Sequence, residues 1–120
     1  MLNCKKTLLA CKGKRLAFDL DKTLTVGEVD GWADMTMNEL ADALYTLEPN
    51  KEMIDFVNEL AQDNTIYIFT ARSDFRQELT YKWLKRHGVN FKYLQHNKNH
   101  YDWIIDDKAI NALDLNEEIR

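Results

Sequence analysis

An α/β domain with a mainly parallel sheet is the fold class this sequence predicts. Short apolar runs that end in polar or acidic residues alternate with segments of helical spacing, the order expected of strands covered by helices. A single proline and four glycines punctuate 120 residues. Linkers are therefore scarce, and one domain spanning 1–120 is the economical reading.

The first strand is read at Arg15-Leu-Ala-Phe-Asp-Leu-Asp21, an apolar run closing on two acids. Residues 24–50 form the long connection after it. Within that connection Thr36-Met-Asn-Glu39 has the form of a capping box, and Met37, Leu40, Ala41 and Leu44 supply an apolar stripe, so a short helix preceded by a loop is expected. The connection is too small for a second domain and reads as a flap.

Met53, Phe56, Val57, Leu60 and Ala61 follow helical spacing with Pro49 and Asn50 at the entrance. Thr65-Ile-Tyr-Ile-Phe-Thr70 is the second strand, rich in β-branched and aromatic residues. Phe75, Leu79 and Trp83 recur every fourth residue, and Gly88 marks the stop of their helix. Phe91 to Leu94 is a weaker third strand, and Asp102-Trp-Ile-Ile-Asp-Asp107 a fourth. Right-handed crossovers place the C-terminal end of each strand on one edge of the sheet.

Composition narrows the function classes. Sixteen Lys and Arg against twenty Asp and Glu leave a net charge of -4, with no general basic footprint for a phosphate backbone. A local patch exists at Lys5, Lys6, Lys12, Lys14 and Arg15. Leu8-Leu9-Ala10 is too short for the apolar core of a signal peptide, and no run is long enough to span a bilayer. No membrane association and a cytoplasmic location are expected. Cys4 and Cys11, without CxxC spacing, are expected as free thiols and give no metal signature.

Chemistry gathers at the strand ends. Asp19 and Asp21, two residues apart at the end of a strand, are expected on one face. An isolated pair of this kind also fits an Asx turn that ends a strand. Asp106 and Asp107 close the fourth run, and parallel strands would bring all four acids to one rim. Two like charges about 4 Å apart repel by roughly 4 kcal/mol at a surface-like dielectric, against a net stability of only about 5–15 kcal/mol. Such a cluster calls for a cation, and oxygen ligands point to magnesium. Thr70-Ala71-Arg72 follows the second strand, offering a hydroxyl and backbone N–H groups to an anion.

Phe18-Asp-Leu-Asp-Lys-Thr-Leu24 resembles the first motif of the haloacid dehalogenase superfamily of phosphatases. Ile68-Phe-Thr-Ala-Arg72 resembles its second, and Ile104-Ile-Asp-Asp107 the double-Asp form of its fourth. Lys98 is the best match to the lysine of the third, with Lys92 and Lys108 as competitors. The words Trp83-Leu-Lys-Arg-His-Gly88 and Asp106-Asp-Lys-Ala109 are similar to short, nearly capless members. Lys22 stands where many members carry glycine, and little follows the fourth motif.

The resemblance spans about residues 15–110. It implies a three-layer, Rossmann-like domain with a minimal cap at 24–50, and hydrolysis of a phosphomonoester in two steps. Asp19 would be the nucleophile, Asp21 the general acid and base, and Lys98 the cation that neutralises transition-state charge. Magnesium would bind Asp19, Asp21 through its backbone carbonyl, and Asp106, with Asp107 a ligand or an outer-shell partner. Thr70 and the amides near Ala71 would hold the phosphoryl oxygens, while Arg72 either pairs on the surface or contacts the leaving group. The histidines His87, His96 and His100 read as surface or helix-end residues, and Trp32, Trp83 and Trp103 as packing.

A small cap leaves substrate choice to residues 24–50 or to a neighbouring subunit of a homo-oligomer. The leading expectation is a small phosphorylated substrate such as a sugar phosphate. The alternative is a polynucleotide 3′-end phosphatase, because Thr70-Ala-Arg-Ser73 with Arg76, Thr80 and Trp83-Leu84 is similar to the phosphatase half of polynucleotide kinase-phosphatases. The acidic balance and the lack of a kinase P-loop argue against the full bifunctional protein. A non-catalytic phosphate-binding or interaction module of the same fold is the third reading.

Overall fold

The computed structural model describes residues 3–72, 77–96 and 109–120. The described elements run α1 (Cys4–Leu9), β1 (Arg15–Asp19), a 3₁₀ turn (Trp32–Asp34), α2 (Met37–Tyr45), α3 (Lys51–Leu60), β2 (Thr65–Phe69), α4 (Gln77–Arg86), β3 (Tyr93–Gln95) and α5 (Ala112–Ile119). The strands form a parallel sheet in the order β1-β2-β3, with helices on both sides. This is the predicted α/β class. The expected fourth strand at 102–107 lies outside the described residues.

Register ties the strand ends together. Arg15 pairs with Thr65 and Asp19 with Phe69, while Phe69 pairs in turn with Gln95. Thr70 N–H extends the ladder by donating to the Gln95 carbonyl at 2.9 Å. Asp19, Thr70 and Gln95 therefore stand side by side on the C-terminal rim. Ile66 and Ile68, buried on alternate positions of β2, join Phe18, Leu20, Met53, Val57, Trp83 and Leu84 in the core. Burying side chains of this size contributes about 1.5–3 kcal/mol each relative to exposure.

β1 is shorter than the sequence suggested. It stops at Asp19, so Asp19 and Asp21 do not share a strand face as expected. The cause is Leu20: its side chain is fully buried, and its carbonyl accepts from the N–H groups of Thr23 (3.2 Å), Leu24 (2.9 Å) and Thr25 (3.2 Å). These bonds bend the chain into a turn that carries Asp21. Lys22, at φ 65°, adopts the left-handed conformation that glycine takes without steric cost. Its N–H donates to Thr25 Oγ1 at 2.9 Å, and that hydroxyl donates to the Gly27 carbonyl.

The flap is pinned at its base. Thr25 and Pro49 form an antiparallel bridge, flanked by Val26 N–H to the Glu48 carbonyl (2.8 Å) and Asn50 N–H to the Leu24 carbonyl (2.8 Å). The Thr36–Glu39 capping box is present in both directions at the head of α2. Leu40 and Leu44 are buried and α2 packs on α4. Met37, in the first turn, remains 56% exposed, so the apolar stripe is narrower than expected.

The predicted helix ends follow their local signals. Asn50 caps α3, its Oδ1 accepting from Met53 N–H at 3.3 Å. α4 closes with Gly88 at φ 69°; Gly88 N–H reaches the Lys85 carbonyl (3.2 Å) and Val89 N–H the Leu84 carbonyl (3.0 Å). That bond pair, with buried Val89 beside buried Leu84, is a Schellman stop. Asn58 ties α3 to this end, donating to the Gly88 carbonyl and accepting from Asn90 N–H. α1 and α5 were not anticipated; they pack on each other, and the Cys4 N–H donates to Glu118 Oε2 at 3.0 Å. Neither cysteine forms a disulfide among the described residues.

Candidate active site

The rim brings together four of the expected residues: Asp19, Asp21, Thr70 and Arg72. Asp19 ends β1 half-buried, and the Leu20 N–H donates to its Oδ1 at 2.9 Å. Neighbouring strands lie about 4.8 Å apart, so the register places the Asp19 backbone beside Phe69 and next to Thr70. Thr70 is fully buried, and its Oγ1 accepts from Arg72 N–H at 3.1 Å. This bond folds Thr70-Ala71-Arg72 into a tight turn.

Arg72 forms an ion pair, as one of its two readings had it, but inside the protein rather than on the surface. Its guanidinium is buried, and it holds Asp21 with both arms of its fork: Nη2 lies 2.7 Å from Oδ1 and Nε 3.3 Å from Oδ2. The Arg72 side chain is 6% exposed and that of Asp21 27%. Nη1 donates to Thr80 Oγ1 on α4 at 3.1 Å, and Thr80 is fully buried. Three of the five guanidinium donors are thus engaged by described residues. The plane of the guanidinium is set by one contact on α4 and two on Asp21. Sequence reasoning missed this pairing. The only sign of it was the Arg72 and Thr80 positions in the polynucleotide-phosphatase word.

Lys22, the departure from the resemblance, turns outward. Its Nζ meets Glu28 Oε1 at 3.0 Å, and the Glu28 hydrogen bond and charge raise the lysine pKa. Its charge is thereby paired before it reaches the acids. Asn50 steadies the turn from below, Nδ2 donating to the Thr23 carbonyl (3.2 Å) and to Asn116 Oδ1 (3.0 Å). Beside the turn opens a cleft of about 250 Å³, walled by Lys22, Thr23, Val26, Met53, Leu113 and Asn116.

Lys98, Asp106 and Asp107 lie outside the described residues. Among the described residues no three His, Cys, Asp or Glu side chains gather to hold a metal ion. The part of the expected magnesium set that is described fits a hard cation. Asp19 offers a carboxylate on the rim. The Asp21 carboxylate is committed to Arg72, but among the described residues no N–H donates to the Asp21 carbonyl. Oxygen donors of this kind suit magnesium.

His87 and Trp83, read as helix-end and packing residues, are so placed. Trp83 is 1% exposed and its Nε1 donates to the Leu47 carbonyl at 2.9 Å. The His87 ring lies 4.5 Å from the Trp83 ring. Among the described residues no helix is long and apolar enough to cross a membrane.

No protein-family model and no curated protein matches the chain. The fold is similar to the crystal structure of an MCSG target from Vibrio cholerae, with a TM-score of 0.65 at 22% identity over 88% of this chain and 93% of that one. At that identity the likeness shows the α/β fold, with no bearing on chemistry.

Proposed function

We propose that the chain is a magnesium-dependent phosphomonoester hydrolase of the haloacid dehalogenase type, with Asp19 as nucleophile. The reading is carried by one observation: a buried arginine, locked from α4, fixes the Asp21 carboxylate beside the end of β1. Burying a guanidinium costs several kcal/mol before pairing returns any of it, a poor way to stabilise a surface turn. It is a reasonable way to hold an acid–base group in one orientation.

In this reading an Asp19 oxygen attacks phosphorus while the bond from phosphorus to the ester oxygen breaks, leaving an aspartyl-phosphate. Asp21 passes a proton to the departing oxygen, then accepts one from the water that attacks phosphorus in the second step, as the bond from phosphorus to Asp19 breaks and inorganic phosphate leaves. The Arg72 fork takes one lone-pair direction on each Asp21 oxygen and leaves the other for that proton. The Asp19 carboxylate and Asp21 carbonyl would hold magnesium, together with Asp106 or Asp107 as the resemblance implies. The ion would supply Lewis-acid stabilisation of the phosphoryl oxygens. Thr70 and the turn at Ala71 would receive those oxygens, with Lys98 neutralising their charge.

In its first form the reading takes a small substrate such as a sugar phosphate. A polynucleotide 3′-end is the second reading, favoured by the meeting of Arg72 and Thr80. The test is phosphate release from aryl phosphate, sugar phosphates and 3′-phosphorylated oligonucleotides, with and without magnesium, using Asp19→Asn as control. Magnesium-dependent release that the control lacks supports the reading, and the preferred substrate separates its two forms. Inactivity across the whole panel would overturn it and leave a binding module of the same fold.

A further inference from the structure

We infer that Thr80 is a positioning residue for the acid–base carboxylate, acting on Asp21 through Arg72; the inference rests on the proposed function and deepens it. Thr80 is fully buried on α4, has no exposed surface for a substrate, and stands 59 positions along the chain from Asp21. Among the described residues its hydroxyl oxygen is the third fixed point of the Arg72 guanidinium, at 3.1 Å from Nη1. The two bonds to Asp21 leave the guanidinium and carboxylate free to rock together about the side-chain torsions. A contact on a separate element removes that freedom.

α4 is a firm base for such a contact. Trp83, one turn on from Thr80, is buried and bonded through Nε1 to the Leu47 carbonyl. Leu84 is buried with it, and the helix ends in the Gly88 stop. Threonine also suits the task chemically. Valine has nearly the same shape but no oxygen, and its presence would leave a buried Nη1–H without its acceptor. Serine would keep the acceptor and lose only a methyl group.

The experiment compares Thr80→Val, Thr80→Ala and Thr80→Ser with wild type on two substrates, an alkyl phosphate and 2,4-dinitrophenyl phosphate, with magnesium. A dinitrophenolate leaves without protonation; an alkoxide does not. Thr80→Val and Thr80→Ala should lose roughly 10- to 100-fold in kcat on the alkyl phosphate with KM little changed, and much less in the first-turnover burst of dinitrophenolate from the dinitrophenyl ester, which precedes the base-assisted attack of water. Thr80→Ser should restore the alkyl phosphate rate. A merely structural role would depress both substrates alike, and that result, or wild-type kcat in a folded Thr80→Val or Thr80→Ala, would overturn the inference.

The Arg72 Nη–Hη signal in nitrogen-15 NMR gives a readout that needs no turnover, because Nη1 is the atom that donates to Thr80. It should be resolved in wild type and Thr80→Ser, where the fork cannot rotate, and should broaden or average in the Val and Ala variants. An unmoved signal in those variants overturns the inference whether or not the wild type turns over. A silent wild-type enzyme with the expected signals would instead sink the phosphatase reading and leave the Thr80 grip standing.

Discussion

Arg72 holds Asp21 in a two-pronged grip across 51 positions of sequence, Nη2 at 2.7 Å from Oδ1 and Nε at 3.3 Å from Oδ2. Lysine cannot reproduce it, because an ammonium is a point charge rather than a planar fork. Arg72→Lys should therefore lower kcat roughly 10- to 100-fold and cost about 1–3 kcal/mol through the unsatisfied Thr80 and Asp21 acceptors. Steady-state kinetics and urea melts measure the two effects. Wild-type turnover in a folded Arg72→Lys would show that the grip has no part in the chemistry.

Much of the fold was legible because its signals are local. Ile66 and Ile68 alternate on β2, Thr36 and Glu39 lie within one helical turn, and Gly88 stands where the helix must reverse. Period and capping carry such information within a few residues. The end of β1 was misread because it depends on three N–H groups converging on the Leu20 carbonyl, a turn for which Asp-Leu-Asp gives no sign. α1 and α5 are short and are held by packing on each other, on α3 and on the core, so neither announces itself alone. At the site, Asp19, Asp21, Thr70 and Arg72 were found as strand-end residues. The partnership of Asp21 with Arg72 is a long-range contact that no spacing encodes.

The capping box makes a separable stability prediction. Thr36 Oγ1 accepts from Glu39 N–H at 3.2 Å, and Glu39 Oε1 accepts from Thr36 N–H at 3.1 Å. Thr36→Ala removes the first bond and should cost about 1 kcal/mol. The loss is read as a lower urea midpoint at unchanged slope. A midpoint equal to wild type would mean that α2 contributes nothing to the cooperative unit.

His87 contributes to the pH dependence of stability near neutrality. Burial, reinforced by the positive charges of Arg86 and Lys51, lowers its pKa from the ordinary 6.5. Its Nε2 is buried with no hydrogen-bond partner among the described residues. Between the ordinary value and the lower folded one, the unfolded chain holds a proton that the fold does not. Stability is then present above the unfolded pKa and falls as pH drops through that window. Urea midpoints followed from about pH 7.5 to about pH 5 should fall less steeply in His87→Gln than in wild type. Parallel slopes would remove His87 from the account.

Asp19 and Asp21 must differ in what their loss leaves behind. Asp19→Asn removes the attacking oxygen, so no phosphoryl group should transfer to the protein from any substrate. Asp21→Asn keeps the nucleophile on β1 and presents Arg72 with an amide that accepts through one atom only. With 2,4-dinitrophenyl phosphate the first step needs no acid, whereas the second still needs a base for water. Asp21→Asn should therefore release a burst of dinitrophenolate and then stall, accumulating an acid-stable, hydroxylamine-sensitive phosphoryl label on the chain. Rapid quench with phosphorus-32 substrate and mapping of the label measures this directly. A label that forms equally in Asp19→Asn would place the nucleophile elsewhere. Full turnover by Asp21→Asn would mean that the carboxylate gripped by Arg72 does not move the proton.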